Sequence, residues 1–174
     1  MLSPYVVAAT PITEEAFAPF GDVVALAGRV APRADERTTA PFAQWGESSI
    51  RTRDDEELAL DVITRQIIHP VELTRLYRHR KAPQVQIPLR NVPILILVAP
   101  PGVEFRDRSD LDTLQAFITD GSVGVNIGID VWHEGAYPIV HEVDLVNLQG
   151  RDHPNDTEMI ELDRLLGVAI QIRL

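Results

Sequence analysis

The sequence predicts a mainly β protein, an antiparallel sandwich or barrel with a few short helices, and three observations support this prediction. Thirteen prolines and ten glycines divide the 174-residue chain into short segments. These segments are rich in apolar and β-branched residues, and turn residues separate them at short spacing, which is typical of antiparallel β folds. No long amphipathic helices recur between them, as a parallel βαβ sheet would require. Because the length is near the usual domain size, we expect one domain over residues 1–174.

A short helix is predicted close to the N-terminus. Thr13 is a favourable N-cap residue, because its side-chain oxygen can accept a hydrogen bond from the first helical turn. Glu14 and Glu15 then lie in that first turn, where acidic side chains are stabilising. Pro19 and Gly21 end the helix almost at once.

The remaining apolar segments predict strands. Segment 58–68 is rich in β-branched residues, although the mixed spacing of its apolar positions leaves a short helix as an alternative. Segment 84–89 alternates apolar and polar residues, as expected of a strand with one apolar and one polar face. Segment 94–99 is apolar on both faces, which predicts a central strand covered on both sides. The predicted strands are 5–9, 23–26, 58–68, 72–81, 84–89, 94–99, 116–119, 124–132, 138–149 and 168–174.

Two further helical segments and one loop complete the prediction. Segment 109–114 is predicted as a helical turn capped by Ser109 or Asp110, and segment 158–166 as a helix. Residues 28–41 contain two prolines, several charges and few large apolar side chains, which indicates a loop.

The composition excludes several classes of partner and site. Twenty-six acidic and 16 basic side chains give a net charge of −10, which repels polyanions, so we expect no nucleic-acid and no membrane partner. The absence of cysteine excludes zinc fingers, iron–sulfur clusters, thiol nucleophiles and disulfides. No apolar run approaches the ~20 residues that span a bilayer, and no basic region precedes the apolar N-terminal stretch. We therefore expect a cytoplasmic protein.

The densest positive patch in this acidic chain lies in residues 75–81. Successive side chains of a strand point to opposite faces, so Arg78 and His79 can share a cavity only if a bulge intervenes. The patch is either a solvated strand end that pairs with carboxylates or a binding site for a small carboxylate, which arginine recognises through two parallel hydrogen bonds.

A second candidate for functional residues is the segment LQAFITDGSVGVNIGIDVWHEG, residues 114–135. Its glycines lack the spacing of a phosphate-binding loop. Asn126 can donate to and accept from a ligand. Trp132 is a residue of the core or of a ligand-binding wall, and His133 can exchange protons near neutral pH.

The spacing of the histidine and glutamate residues shows whether the sequence contains a known metal-binding motif. His133 and Glu134 begin the zinc-protease pattern, but Tyr137 stands where its second histidine is required, so that motif fails. His79 and His141 could converge with that pair and hold a divalent ion. A metal ion therefore stays an alternative, and no residue is assigned as its ligand.

Four segments together resemble the ureidoglycolate lyase family. They are ITEEAFAPFGDVV (12–24), RHRKAPQVQIPL (78–89), PILILVAP (93–100) and LQAFITDGSVGVNIGIDVWHEG (114–135). The resemblance implies a cupin-like antiparallel β-barrel, commonly a homodimer, that acts in allantoin catabolism. It implies a carbon–nitrogen lyase that cleaves ureidoglycolate, or a related N-substituted 2-hydroxy acid, to glyoxylate and urea. No hydride moves in that reaction, so it requires no redox cofactor.

The chain departs from the family pattern at Tyr77, Gln86, Glu134 and Gln149, where the family usually has glutamate, phenylalanine, histidine and aspartate. Two other functions therefore remain as alternatives to the lyase. One is a non-catalytic cupin module that binds a small carboxylate, and the other is a metal-dependent cupin lyase or isomerase on another substrate.

The lyase reaction needs an anchor for the carboxylate, a base for the carbinol proton and an acid for the departing nitrogen. We predict a carboxylate anchor in Arg78, and orienting groups for the rest of the substrate. The predicted substrate-binding residues are Arg78, Gln84, Asn126 and Trp132, and the predicted catalytic residues are His79, His133 and Glu134.

Overall fold

The computed structural model describes residues 2–24, 48–67 and 71–174; the predicted loop 28–41 lies outside them. Within these ranges the chain forms thirteen strands, three short α-helices and two 3-10 turns. The strands are β1 (Ser3–Pro11), β2 (Gly21–Val24), β3 (Leu58–Gln66), β4 (Glu72–Leu73), β5 (Arg75–His79), β6 (Gln84–Pro88), β7 (Ile94–Ala99), β8 (Gln115–Ile118), β9 (Gly124–Ile127), β10 (Trp132–Pro138), β11 (Glu142–Gly150), β12 (Thr157–Glu161) and β13 (Val168–Arg173). The helices are α1 (Glu14–Phe17), α2 (His153–Asp156) and α3 (Leu162–Leu166), and the 3-10 turns are Leu89–Asn91 and Arg108–Thr113.

The strands form two sheets. The larger has the order β12-β5-β10-β7-β8-β1-β13-β4 and the smaller β2-β9-β6-β11-β3. Most neighbouring strands are antiparallel, but β1 pairs in parallel with both β13 and β8. The larger sheet curls into a half-barrel, and the fold is mainly β and cupin-like, which confirms the predicted fold class.

Strand β7 lies near the middle of the larger sheet, between β10 and β8, and all six of its side chains are buried. Leu95 and Leu97 pack in one hydrophobic core with Trp132. On the other face, Ile94 and Ile96 pack in a second core, which includes three phenylalanines from α1, the turn after it and β8. The prediction of a strand covered on both sides is therefore confirmed.

The helical predictions are correct in part. The Thr13 hydroxyl caps α1 by accepting a hydrogen bond from the Ala16 amide at 3.1 Å, as predicted. The turn Arg108–Thr113 is also present, but its cap is Asp107, whose carboxylate accepts from the Ser109 amide at 2.8 Å. None of the helices in the described residues is long and apolar enough to cross a membrane.

Turns and strand pairing change three of the predicted segments. Segment 72–81 is divided into β4 and β5. Segment 124–132 ends its first strand at residue 127, because a turn with Asp130 at φ 66° separates β9 from β10. Segment 158–166 is a helix only in its second half, since β12 pairs in register with β5.

Candidate active site

A cavity of about 390 Å³ is lined by strands of both sheets and by α2. This volume suits a small molecule, and several convergent polar groups in such a cavity are typical of a binding site. The polar and aromatic side chains that line it are Arg65, Tyr77, His79, Gln84, His133, Glu134, Tyr137, Asn147, Gln149, His153 and Thr157.

Strand alternation decides which residues of the basic patch reach the cavity. The pairing of β5 with β12 is continuous, without a bulge, so Tyr77 and His79 face the cavity and Arg78 points to the opposite side. His133 pairs with Tyr77 across β5 and β10, which places its ring on the same face. The structure therefore brings together His79 and His133, with ring centroids 5.3 Å apart.

The hydrogen bonds of His79 define its tautomer. The Thr157 hydroxyl donates its single hydrogen to the His153 carbonyl oxygen at 2.6 Å. The contact of 3.2 Å between that hydroxyl and Nδ1 of His79 must then be a bond that Nδ1–H donates. The Nε2 atom consequently carries the lone pair. Because burial lowers the pKa of His79 below its ordinary value, the ring is neutral at pH 7 and able to accept a proton.

His133 has both ring nitrogens next to oxygen atoms of the protein. Its Nδ1 lies 3.0 Å from the Val131 carbonyl and its Nε2 lies 2.9 Å from Oε1 of Gln84. Burial, with a smaller effect from His79, lowers the pKa of His133 to about 4. At neutral pH the ring thus holds one hydrogen, which satisfies one of these two oxygens at a time.

Burial of His133 predicts that the protein loses stability as the pH falls. In the unfolded chain this imidazole binds its proton near pH 6.5, whereas in the folded protein its pKa is about 4. Between these values the unfolded chain binds more protons, so acid favours unfolding by about 2 kcal/mol from pH 7 to pH 5. Urea unfolding of the wild type at both pH values measures the loss.

The matched variant for this measurement is His133→Gln. It should lose about 2 kcal/mol less than the wild type over the same pH interval, since it lacks the titrating ring. His133→Asn serves in its place if the glutamine variant does not fold. Equal losses in variant and wild type would contradict the buried neutral state of His133.

Away from the two histidines, the cavity is lined by a carboxyl group, a phenol and a guanidinium. Tyr137 donates its hydroxyl hydrogen to Oε1 of Glu134 at 2.5 Å, and the Gly135 amide donates to the same oxygen at 3.1 Å. Burial raises the pKa of Glu134 above its ordinary value. The guanidinium carbon of Arg65 lies 5.4 Å from the centroid of the Tyr137 ring. Among the described residues that line the cavity, Arg65 is the only arginine or lysine.

Arg78 does not line this cavity. Its side chain is 2% exposed, and its Nε and Nη2 atoms bind the two carboxylate oxygens of Glu158 at 3.0 and 2.9 Å. Its guanidinium carbon also lies 4.2 Å from the centroid of the Trp132 ring. The absence of a bulge in β5 is the physical reason that Arg78 and His79 are separated, and the arrangement does not present Arg78 to a substrate in the cavity.

Trp132 and Asn126 also lie outside the lining. Trp132 belongs to the hydrophobic core, where its Nε1 donates to the Val103 carbonyl at 2.8 Å. The Asn126 amide nitrogen donates to Asp22 at 3.2 Å and to Ser48 at 3.0 Å. Of the seven predicted site residues, those that do line the cavity are His79, Gln84, His133 and Glu134.

The described residues do not fit a metal centre. They contain no group of three or more histidine, cysteine, aspartate or glutamate side chains arranged to hold an ion. His141, the fourth member of the predicted cluster, is exposed and is not part of the cavity lining. In the cavity, both nitrogens of His133 and Nδ1 of His79 already contact protein oxygens.

Several lining residues have no local signal in the sequence. Arg65 reaches the cavity because β3 pairs with β11 along its whole length, a contact between residues nearly 80 positions apart. His153 reaches it because α2 follows β11 directly. A polar residue that faces a protein interior from a strand is a signal for such sites, but the sequence does not show which strand faces lie inside.

A polar cavity with two neutral, adjacent imidazoles and an arginine, lined by both sheets of a cupin-like β fold, is typical of an enzyme that moves protons on a small anion. The profile of the ureidoglycolate lyase family matches residues 4–169. The chain belongs to this family, and the predicted membership is confirmed.

Curated relatives agree with this assignment. A ureidoglycolate lyase of Pseudomonas fluorescens (strain SBW25) is 32% identical over 163 residues, which cover 91% of this chain and 94% of that protein. One from Pseudomonas savastanoi pv. phaseolicola is 34% identical over 123 residues, covering 71% and 70%. One from Azotobacter vinelandii is 29% identical over 154 residues, covering 88% and 82%.

Proposed function

We propose that this chain is a ureidoglycolate lyase, which breaks the carbon–nitrogen bond of ureidoglycolate by acid–base catalysis and releases glyoxylate and urea. Membership of the family and the names of the curated relatives support the reaction. The observation that carries the site assignment is the neutral His79, whose Nε2 lone pair is available in a cavity that also contains Arg65.

The reaction is a proton transfer coupled to bond cleavage. In ureidoglycolate one carbon bears a hydroxyl, a carboxylate, a hydrogen and the ureido nitrogen. Removal of the hydroxyl proton lets the oxygen form the carbonyl of glyoxylate, while the carbon–nitrogen bond breaks and its electron pair goes to the nitrogen. The nitrogen then takes a proton and leaves as urea. Since the oxygen and nitrogen share one carbon, a single base can serve both atoms.

His79 is the group we assign to this proton transfer. Its Nε2 accepts the hydroxyl proton, and the resulting imidazolium returns it to the departing nitrogen. The bond from Nδ1–H to Thr157 keeps the ring in the tautomer that accepts a proton at Nε2. His133 supports this role by holding the Gln84 amide beside the two rings.

Arg65, rather than Arg78, is assigned as the carboxylate anchor. Its charge lies in the cavity, and a guanidinium binds a carboxylate through two parallel hydrogen bonds. Glu134 lies at the same end, where its buried carboxyl group accepts from Tyr137. Burial raises the pKa of Glu134 above its ordinary value, so this carboxyl group binds a proton at a higher pH than an exposed glutamate does.

The products of the reaction test this function. Purified protein is incubated with racemic ureidoglycolate while glyoxylate, urea and ammonia are measured separately, with heat-denatured protein as the control. We expect glyoxylate and urea in equal amounts above the spontaneous rate. Release of ammonia would indicate amidohydrolase chemistry instead, and no turnover above the control would contradict the proposal.

The family relationship does not favour a non-catalytic carboxylate-binding module or a metal-dependent cupin enzyme.

We also propose that the protein is cytoplasmic and forms a homodimer. The lack of cysteine is compatible with a reducing compartment. On the outer face of the edge strand β3, Leu60 and Val62 are 70% and 63% exposed, and exposed apolar side chains on an edge strand favour association with another chain. Light scattering of the purified protein tests the second proposal, which a monomeric mass would contradict.

A further inference from the structure

A chain of hydrogen bonds connects a surface carboxylate to the imidazoles of the cavity. Asp61, on β3, accepts a bond of 2.9 Å from Nδ2 of Asn147. The Oδ1 atom of Asn147 accepts a bond of 2.9 Å from Nε2 of Gln84. The Oε1 atom of Gln84 in turn lies 2.9 Å from Nε2 of His133. Asn147 and Gln84 are buried, whereas Asp61 is exposed.

The carboxylate determines the direction of every bond in this chain. An ionised carboxylate can only accept hydrogen bonds, so Asn147 must turn its NH₂ group toward Asp61 and its oxygen toward Gln84. That oxygen then requires the NH₂ group of Gln84, which also donates to Oε1 of Gln149 at 3.1 Å. The amide oxygen of Gln84 is left facing Nε2 of His133, whose ring lies beside that of His79.

An oxygen at this position favours protonated imidazole, and an NH₂ group would oppose it. His79, the proposed base, becomes an imidazolium during the reaction. Burial lowers its pKa, and the Gln84 amide acts in the opposite direction. Reversing the amides would remove that support and place two N–H hydrogens against the rings.

We propose that Asp61 is a positioning residue for the proposed lyase reaction: it orients the Asn147 and Gln84 amides so that an oxygen, and not an NH₂ group, faces the adjacent imidazoles of His133 and His79. This inference rests on the proposed function. Asp61 does not line the cavity, and it acts on the reaction through the two amides.

Other charged groups that face the imidazoles are unchanged by a substitution at Asp61. His79 is influenced by His153 and Asp156 from α2 and by His133 from β10. His133 is influenced in addition by Arg65 from β3. The change at Asp61 is therefore confined to the direction of the amide chain and to the loss of one surface charge.

The test is Asp61→Asn, measured by kcat/KM over a range of pH and by an NMR titration of the histidine rings without substrate. The new amide can donate to Asn147 and allow the chain to reverse. We expect kcat/KM to fall about tenfold, the equivalent of one charge-assisted hydrogen bond, and the titration midpoint of His79 to move about one pH unit lower.

Two further variants separate orientation from charge. Asp144→Asn removes a carboxylate that binds Thr64 and Arg90 on the same sheet, and it should leave both measurements unchanged. The double variant Asp61→Asn/Asn147→Asp keeps the net charge and restores an acceptor toward Gln84, so it should recover kcat/KM.

Two kinds of result, three outcomes in all, would overturn the inference. One is an Asp61→Asn protein whose kcat/KM is within about twofold of the wild-type value and whose His79 titration midpoint is within a few tenths of a pH unit of the wild type. Both limits correspond to the same small change in free energy. The other is an equal loss in Asp144→Asn, or no recovery in the double variant, because either would assign the effect to charge or folding. The titration needs no substrate, so it tests the effect of the hydrogen-bond chain on the His79 ring even if ureidoglycolate is not turned over.

Discussion

Replacing His79 with glutamine is expected to lower kcat for ureidoglycolate cleavage by about 10²–10⁴-fold, the usual contribution of a general base. Glutamine retains polar groups near Thr157 but has no nitrogen that accepts a proton at neutral pH. The loss should appear in kcat rather than KM, because the carboxylate anchor is intact. Steady-state kinetics measures it, and thermal unfolding verifies that the fold is retained.

His141→Gln is the matched control for this variant. His141 is exposed and outside the cavity lining, so its replacement should leave kcat unchanged. A His79→Gln protein with a normal melting temperature and wild-type kcat would remove His79 from the mechanism.

Replacing Arg65 with methionine is expected to raise KM by about 10–100-fold, because charged hydrogen bonds to the substrate carboxylate are lost. Methionine retains much of the apolar length of the side chain, so the packing of β3 should change little. The half-buried position of Arg65 at the cavity wall places the effect on binding. Initial rates over a wide range of substrate concentration measure it.

Arg78→Met is the comparison that separates the two candidate anchors. Arg78 binds Glu158 and lies over Trp132 on the opposite face of β5. Its replacement should lower the melting temperature and leave KM near the wild-type value. The reverse pattern, a raised KM for Arg78→Met and an unchanged KM for Arg65→Met, would transfer the anchor to Arg78.

The parts of the fold that the sequence predicts are those with local causes. Thr13 caps a helix through a bond to a residue three positions away. Residues 94–99 are apolar at every position, which is typical of a short strand covered on both faces. Turn positions were less predictable, since the break at Asp130 depends on a left-handed backbone conformation in a non-glycine residue.

The site was predictable only where strand alternation sufficed. Alternation showed that Arg78 and His79 face opposite sides of β5, but not which side contains the cavity. That choice depends on the other sheet, because β6, β11 and β3 bring Gln84, Asn147 and Arg65 to the face that His79 occupies. These are contacts between distant parts of the chain, and a single sequence does not reveal them.

Arg65 and His79 are proposed to hold one substrate between them. The most direct measurement is a crystal structure with oxalurate, the analogue in which a carbonyl replaces the carbinol carbon and cannot donate the proton. We expect the oxalurate carboxylate to lie within hydrogen-bond distance of the Arg65 guanidinium. Its carbonyl oxygen should take the position of the substrate hydroxyl, next to Nε2 of His79. Oxalurate bound at Arg78, or in the cavity with its carboxylate away from Arg65, would contradict it.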